Sequence, residues 1–327
     1  MKYRMLGHTG FEISEISLGT WQVGGKWGEP FDHHNADKIL HTAIDQGVNF
    51  IDTADVYGDG ESEKAVGRLI RGRSERIYAA TKCGRRLSPH VNEAYTPQSM
   101  RGFVEDSLRN MGLETLDLIQ LHCPPTEVYY RPEIFAEFEK MIAEGKIRKL
   151  GVSVEKVEEA LKAIEYPHVD TVQIIFNIFR QRPSELFFEQ AKKKNIGVIV
   201  RVPLASGLLT GKFDKETTFG KDDHRHFNRE GASFDKGETF SGVNYDTGVE
   251  TVRKLEEAFP AVSLAQLALR WVLMFEAVSC VIPGASRPEQ VLSNVQASGL
   301  PPLSGEDIQK IKDIYNQHIR SQVHHLW

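Results

Sequence analysis

Eight short apolar runs, each followed by an amphipathic stretch, recur from one end of this chain to the other, and that alternation limits the folds open to it. The strand candidates are 16–19, 49–53, 76–82, 116–122, 147–153, 171–176, 197–203 and 279–283. Between them apolar residues return at helical spacing, as with Phe103, Leu108 and Met111 behind the helix-opening pair Thr96-Pro97, or Ile134, Phe138, Met141 and Ile142. Strands joined by crossover helices pair in parallel. Such a sheet is either open and doubly wound or closed into a (β/α)8 TIM barrel. The open form usually carries a G-x-G-x-x-G turn after its first strand. None occurs here: Gly24-Gly25 lies further on and leads into Lys26-Trp27-Gly28-Glu29-Pro30, which reads as loop. The barrel is favoured, and a chain of 327 residues accommodates it with insertions as a single domain over 1–327.

Three additions to the barrel are expected. At the start, His8-Thr9-Gly10 reads as the turn of a hairpin between 3–6 and 12–16. After the seventh strand, 213–246 is too long for a plain connection and holds His224-Arg225-His226-Phe227-Asn228-Arg229, so a lid over a bound ligand is expected. A helical tail over 304–321 runs on to His324-His325-Leu326-Trp327 and either shapes a substrate mouth or ends loosely.

Composition excludes several classes. A net charge of -5 gives no clustered positive field for nucleic acid or an anionic membrane. The first residues lack the apolar core of a signal peptide, and no run of about eighteen apolar residues occurs, so a cytoplasmic location is expected. Three cysteines make no disulfide framework. Cys83 and Cys123 directly follow Lys82 and His122, and strand alternation would turn both outward, between sheet and helices. The pairs His33-His34, His224 with His226, and His324-His325 lack a carboxylate at helical ligand spacing, so no metal site is expected. A G-x-S-x-G nucleophile elbow is also missing from the sequence.

The chemistry lies at strand ends. Asn49-Phe50-Ile51-Asp52-Thr53-Ala54-Asp55-Val56-Tyr57-Gly58 places a carboxylate and a phenol just past an apolar run. Tyr78-Ala79-Ala80-Thr81-Lys82 and Leu118-Ile119-Gln120-Leu121-His122 each end in one ionisable side chain. Three consecutive strands thus bring Asp52, Tyr57, Lys82 and His122 to one rim. When hydride reaches a carbonyl carbon, the oxygen gathers negative charge and needs a proton. Tyr57 would be that acid, Lys82 would lower its pKa, Asp52 would balance Lys82, and neutral His122 would hold the oxygen. Singly, each residue has a structural explanation; jointly they are hard to assign to packing.

These residues resemble those of the aldo-keto reductases, NADPH-dependent barrels with an Asp, Tyr, Lys, His tetrad. The likeness takes in Gly19-Thr20-Trp21, Asp52-Thr53-Ala54 to Tyr57-Gly58 with Glu61 and Glu63, Lys82, Leu121-His122 and Gly151-Val152-Ser153. It continues through Gln173, Pro203-Leu204-Ala205-Ser206-Gly207-Leu208-Leu209-Thr210-Gly211-Lys212, and Ile282-Pro283-Gly284-Ala285-Ser286 to Asn294. The resemblance implies the tetrad roles above and NADP(H) as cofactor, with Thr20 and Trp21 beside it and Ser153 and Gln173 on the nicotinamide carboxamide. It implies Leu204, Ser206, Gly207 and Lys212 along the pyrophosphate, and Gly284, Ser286, Gln290 and Asn294 at the adenosine end. Arg287, where a helix starts, is the candidate for the ribose 2'-phosphate. Two departures stand out: Val154 offers no polar group where the family often has Asn or Arg, and Arg201-Val202 replaces an aromatic that stacks on nicotinamide. A guanidinium also stacks on rings, so Arg201 is kept as a nicotinamide neighbour.

The implied activity is reduction of a small carbonyl compound, or oxidation of the alcohol. Two alternatives stay open: a barrel aldolase with Lys82 as Schiff-base nucleophile, and a cofactor-binding regulatory subunit, since the family includes relatives that accompany membrane channels. Substrate choice would rest with 21–31, 124–131, the lid and the tail, with Trp27, Tyr129, Tyr130 and Trp327 as wall candidates.

Overall fold

The computed structural model describes residues 1–25 and 29–327; Trp27, a wall candidate, lies outside the described residues. Strands β1 (Tyr3–Met5) and β2 (Glu12–Ser14) pair antiparallel, Tyr3 opposite Ser14. This is the expected hairpin. Eight parallel strands follow: β3 (Leu18–Gly19), β4 (Phe50–Asp52), β5 (Tyr78–Cys83), β6 (Leu116–His122), β7 (Ile147–Ser153), β8 (Val169–Ile175), β9 (Gly197–Arg201) and β10 (Val278–Val281). Neighbours in sequence are neighbours in the sheet, and parallel bridges from Ile16 to Val281 and from Gly19 to Gly284 join its two edges. The chain folds as the (β/α)8 barrel read from the alternation.

Helices α1 (His33–Asp45), α2 (Glu61–Gly72), α3 (Pro97–Met111), α4 (Pro132–Ala143), α5 (Val157–Ala163) and α6 (Phe187–Lys193) connect the strands up to β9. Between β9 and β10 lie α7 (His224–Phe227), α8 (Tyr245–Ala258) and α9 (Leu264–Leu273); α10 (Pro288–Gln296), α11 (Gly305–His318) and α12 (Arg320–Val323) complete the chain. Local chemistry fixes several starts. Thr96 and Ser99 form a capping box with Pro97 in the first turn of α3, and Ser304 with Asp307 does the same for α11.

Alternation along the strands builds two cores. Inside the barrel Phe50, Ala80, Leu118, Ile199, Cys280 and Ile282 meet Leu6, Phe11 and Ile13, so the hairpin plugs one end. Outside, the larger core lies between strands and helices, with Phe176 stacked on Trp271 at 4.9 Å. Cys83 belongs to that outer core as expected. Cys123 departs from the expectation: it follows the last residue of β6 with φ 47°, so alternation has ended, and its Sγ lies 3.6 Å from Ser153 Oγ at the mouth.

The 213–246 segment is folded on the barrel. Beyond α7 it forms 3-10 turns at Lys236–Glu238 and Phe240–Gly242, and Phe219, Phe240 and Tyr245 cluster with Arg229 placed over their rings. The tail ends inward too. Trp327 donates from Nε1 to Asp235 at 2.8 Å and lies under Arg180, so the terminus packs against this segment. No helix among the described residues is long and apolar enough to cross a membrane.

Candidate active site

Asp52 ends β4, Lys82 lies one residue before the end of β5, and His122 ends β6, all on the inward side of adjacent strands. The turn after β4 delivers Tyr57. Gly58, Asp59 and Gly60 all have positive φ there, and a Cβ on Gly58 would come within 2.8 Å of Phe31, so glycine is required for the step into α2.

These four side chains converge. Lys82 Nζ donates to Asp52 Oδ2 at 2.5 Å, to the Thr53 carbonyl at 2.8 Å and to Tyr57 Oη at 3.2 Å. The imidazole of His122 stands edge-on to the Tyr57 ring, centroids 6.0 Å apart. Lys82 is 1% and Asp52 2% exposed, so the pair is a buried one in which each charge offsets the desolvation of the other. Asp52 Oδ1 is satisfied separately, by Gln120 Nε2 at 3.1 Å and Gln173 Nε2 at 2.7 Å. Gln120 was not anticipated. Its signal was its position two residues before His122, on the inward face of β6, where Leu118 marks the apolar norm. Gly151 makes room for it: a Cβ there would meet Thr171 Oγ1 at 2.1 Å and Gln120 Cγ at 3.2 Å.

Burial sets the protonation states. It opposes charge on Lys82, but Asp52 and Tyr57 outweigh it and hold the ammonium above the ordinary lysine value. Burial also raises Tyr57, and Lys82 pulls it back without winning, so the phenol is weaker than a free one. The expectation of a net lowering is thus corrected: the lysine acts in the expected direction, but desolvation of the phenolate is larger. His122 is held well below its usual value by burial first, then by Arg85, Lys82 and Arg201, which leaves a neutral imidazole near pH 7.

The remaining expected residues line the same end of the barrel. Thr20 Oγ1 donates to the Asp52 carbonyl at 3.0 Å, and the Trp21 ring lies 4.7 Å from His224. Ser153 Oγ donates to Gln173 Oε1 at 3.2 Å, which ties both to Asp52. Arg201 is engaged by Glu155 at 2.9 Å and by the Val154 carbonyl at 3.0 Å. Beyond β9 the backbone is strained: Val202, Ala205 and Ser206 have φ of 52°, 48° and 55°, a conformation costly for a β-branched residue. Ser206 Oγ donates to the Glu238 carbonyl at 3.1 Å and accepts from Phe240 N, so the 213–246 segment rests on this stretch. Leu204 and Gly207 are partly buried there, and Lys212 is exposed. Beyond β10, Gly284, Ser286 and Arg287 are exposed, Gln290 Oε1 accepts from Ser286 N at 2.7 Å, and Asn294 is buried in α10.

Of the wall candidates, Tyr129 is a core residue whose hydroxyl donates to the Ser153 carbonyl at 3.3 Å; the aromatic is packed between sheet and helices, not on an open wall. Tyr130 is 64% exposed beneath Lys162. Trp327 is buried against the 213–246 segment, beside Asp235 and Arg180.

These residues fit a dinucleotide. The strained stretch at 202–206 and the start of α10 follow the adjacent strands β9 and β10, and among the described residues neither Lys212 nor Arg287 is taken up in an ion pair.

A sequence model of the Aldo/keto reductase family matches residues 15–316. This chain belongs to that family, whose members are oxidoreductases acting on carbonyls and alcohols and using nicotinamide cofactors. It is 31% identical to the aldo-keto reductase YhdN of Bacillus subtilis, over 99% of this chain and 96% of the relative. It is 28% identical to the NADH-specific methylglyoxal reductase of Escherichia coli, over 91% and 93%. Among solved structures, the holo form of aldo-keto reductase AKR11C1 from Bacillus halodurans superposes with a TM-score of 0.78 at 26% identity, covering 99% of both chains. The glycerol dehydrogenase AKR11B4 from Gluconobacter oxydans gives 0.78 at 31% identity, over 97% and 96%.

Proposed function

We propose that the protein is an NADP(H)-dependent reductase of aldehydes or ketones, oxidising the alcohols in reverse, with Tyr57 as the proton donor. The observation that carries this reading is the 3.2 Å contact between Lys82 Nζ and Tyr57 Oη, backed by the buried Asp52 carboxylate. A nicotinamide cofactor held at this end of the barrel would supply the hydride. Tyr57 then gives its proton to the carbonyl oxygen, neutral His122 donates an N–H to the same oxygen, and Lys82 faces the phenolate left behind. Asp52 keeps Lys82 charged and fixed in place. General acid catalysis of this kind contributes about 10²–10⁴ in rate.

NADPH is preferred here on account of exposed Arg287 at the start of α10 and Lys212 beyond β9, although the methylglyoxal reductase among the relatives is NADH-specific. The segment 213–246 would be the lid, since it rests on Ser206 and packs against Trp21. The Schiff-base aldolase reading loses ground because its nucleophile must be a neutral amine, whereas Asp52 holds Lys82 protonated. The test is oxidation of NADPH and of NADH against a panel of aldehydes, ketones and sugars. Turnover with NADPH that collapses in Tyr57→Phe supports the reading; wild-type protein inert with both cofactors across the panel refutes it.

A further inference from the structure

The barrel mouth holds a buried set of ionic groups that the tetrad does not use. Arg85, three residues beyond Lys82, donates to Glu238 Oε1 at 2.8 Å, and Arg201 Nη1 lies 3.4 Å from Glu238 Oε2. Arg201 Nη2 also donates to Glu155 Oε2 at 2.9 Å. The two carboxyl groups divide in protonation. Burial pushes the Glu155 carboxyl up, whereas Glu238, despite its burial, is brought down by Arg85 and Arg201. Two guanidinium groups thus face one carboxylate that they hold ionised and one carboxyl group that burial drives towards its neutral form. A third, Arg180, is 2% exposed beside them, and its Nε and Nη1, like Arg201 Nε, have no hydrogen-bond partner among the described residues. This set holds buried guanidinium donors that no partner uses, with Asp235 as a further carboxylate facing Arg180.

Its place matters. Arg201 Nη2 lies 3.5 Å from the Sγ of Cys123, the residue after His122, and Arg85 is the strongest cationic influence on His122. Cys123, Glu155 and Glu238 also bring one thiol and two carboxylates within 4.8 Å of one another, but Arg201 touches all three, so the donor set suits an anion and not a metal. Glu238 differs from its partners in origin. It comes from the 213–246 segment, whereas Arg85, Glu155 and Arg201 come from the strand ends. Glu238 also bears on the Tyr57 phenol, so a carbonyl compound at Tyr57 and His122 has Glu238 as a charged neighbour. Any occupant that moves it must leave Arg85 and Arg201 paired, because a buried unpaired guanidinium is strongly unfavourable. A neutral compound leaves Arg85 bare and Arg201 with Glu155 and the Val154 carbonyl alone; an anionic one replaces the lost carboxylate with its own.

We propose that Arg85 and Arg201 form an anion-recognition subsite, occupied in this structure by Glu238, which selects carbonyl substrates bearing a carboxylate or phosphate. The proposal rests on the reductase reading for its choice of substrate, and the test separates the two. The three carboxybenzaldehyde isomers would be compared with their methyl esters, and glyceraldehyde 3-phosphate with glyceraldehyde, using NADPH. At least one acid should exceed its ester tenfold or more in kcat/KM; the phosphate pair decides which anion is preferred. In Arg85→Met that ratio falls to about one, through KM, and in Glu238→Gln the KM for the acid drops several-fold. Equal use of acids and esters by the wild type, or an unchanged ratio in Arg85→Met, would overturn the subsite. Calorimetry with benzoate and inorganic phosphate judges it without turnover. If no compound is reduced, the reductase reading fails while anion binding that is lost in Arg85→Met still supports the subsite; no heat with either anion refutes it.

Discussion

A phenol that burial makes reluctant to ionise is a secure store for a proton. Because Tyr57 is raised above its ordinary value of 10.0, it stays protonated through the neutral range. Reductive kcat/KM should therefore be level near pH 7 and decline only at strongly alkaline pH, whereas alcohol oxidation, which needs the phenolate, should climb as pH rises; a reductive rate falling between pH 6 and 8 would contradict the assignment. Tyr57→Phe should keep its circular dichroism spectrum and cofactor affinity while kcat drops about 10²–10⁴-fold. Asp55 offers a separate check on stability. Burial first, and Glu63 second, raise its carboxyl from 3.8 to about 7. The native state therefore binds the proton more tightly than the unfolded chain, and stability is lost as pH rises from about 4 to 7. Asp55→Asn should remove that loss, gaining on the order of 4 kcal/mol relative to wild type across this range in urea titrations.

At the scale of elements, all eight barrel strands were legible because each is an apolar run bounded by helical spacing. Boundaries moved where tertiary pairing decided them: β8 starts at Val169 through its pairing with Leu150, and only Leu18–Gly19 of the first run is a strand. The tetrad was legible because strand ends announce themselves. The Glu155, Glu238, Arg85 and Arg201 set was not, since Arg85 and Glu238 are 153 residues apart and no local pattern links them. Nor was the sign of the Tyr57 shift, which depends on how completely the surrounding elements exclude water. The hairpin gives an element-scale prediction. Leu6 is fully buried inside the barrel, so Leu6→Ala should cost about 2–5 kcal/mol in denaturant unfolding, with the tetrad geometry and KM little changed.

For the molecule as a whole, the two ends of the proposed cofactor groove come from consecutive strands, β9 and β10, and a dinucleotide bridging them would tie these strands together. NADPH in excess over its Kd by about 100-fold should then stabilise the protein by about 2.7 kcal/mol. Arg287→Ala should weaken NADPH binding about tenfold and leave NADH unaffected, as read by fluorescence titration; equal loss for both would move the 2'-phosphate contact elsewhere.

The bridges from Ile16 to Val281 and from Gly19 to Gly284 have a consequence for biosynthesis. During translation the first strand emerges early, yet its second neighbour is among the last strands to leave the ribosome. Until then both margins of the growing sheet carry unsatisfied amides and carbonyls, the state most open to mispairing with another nascent chain. Ring closure is thus a late, long-range event, and a polypeptide stalled before Val278 should accumulate as insoluble material instead of as a smaller working enzyme.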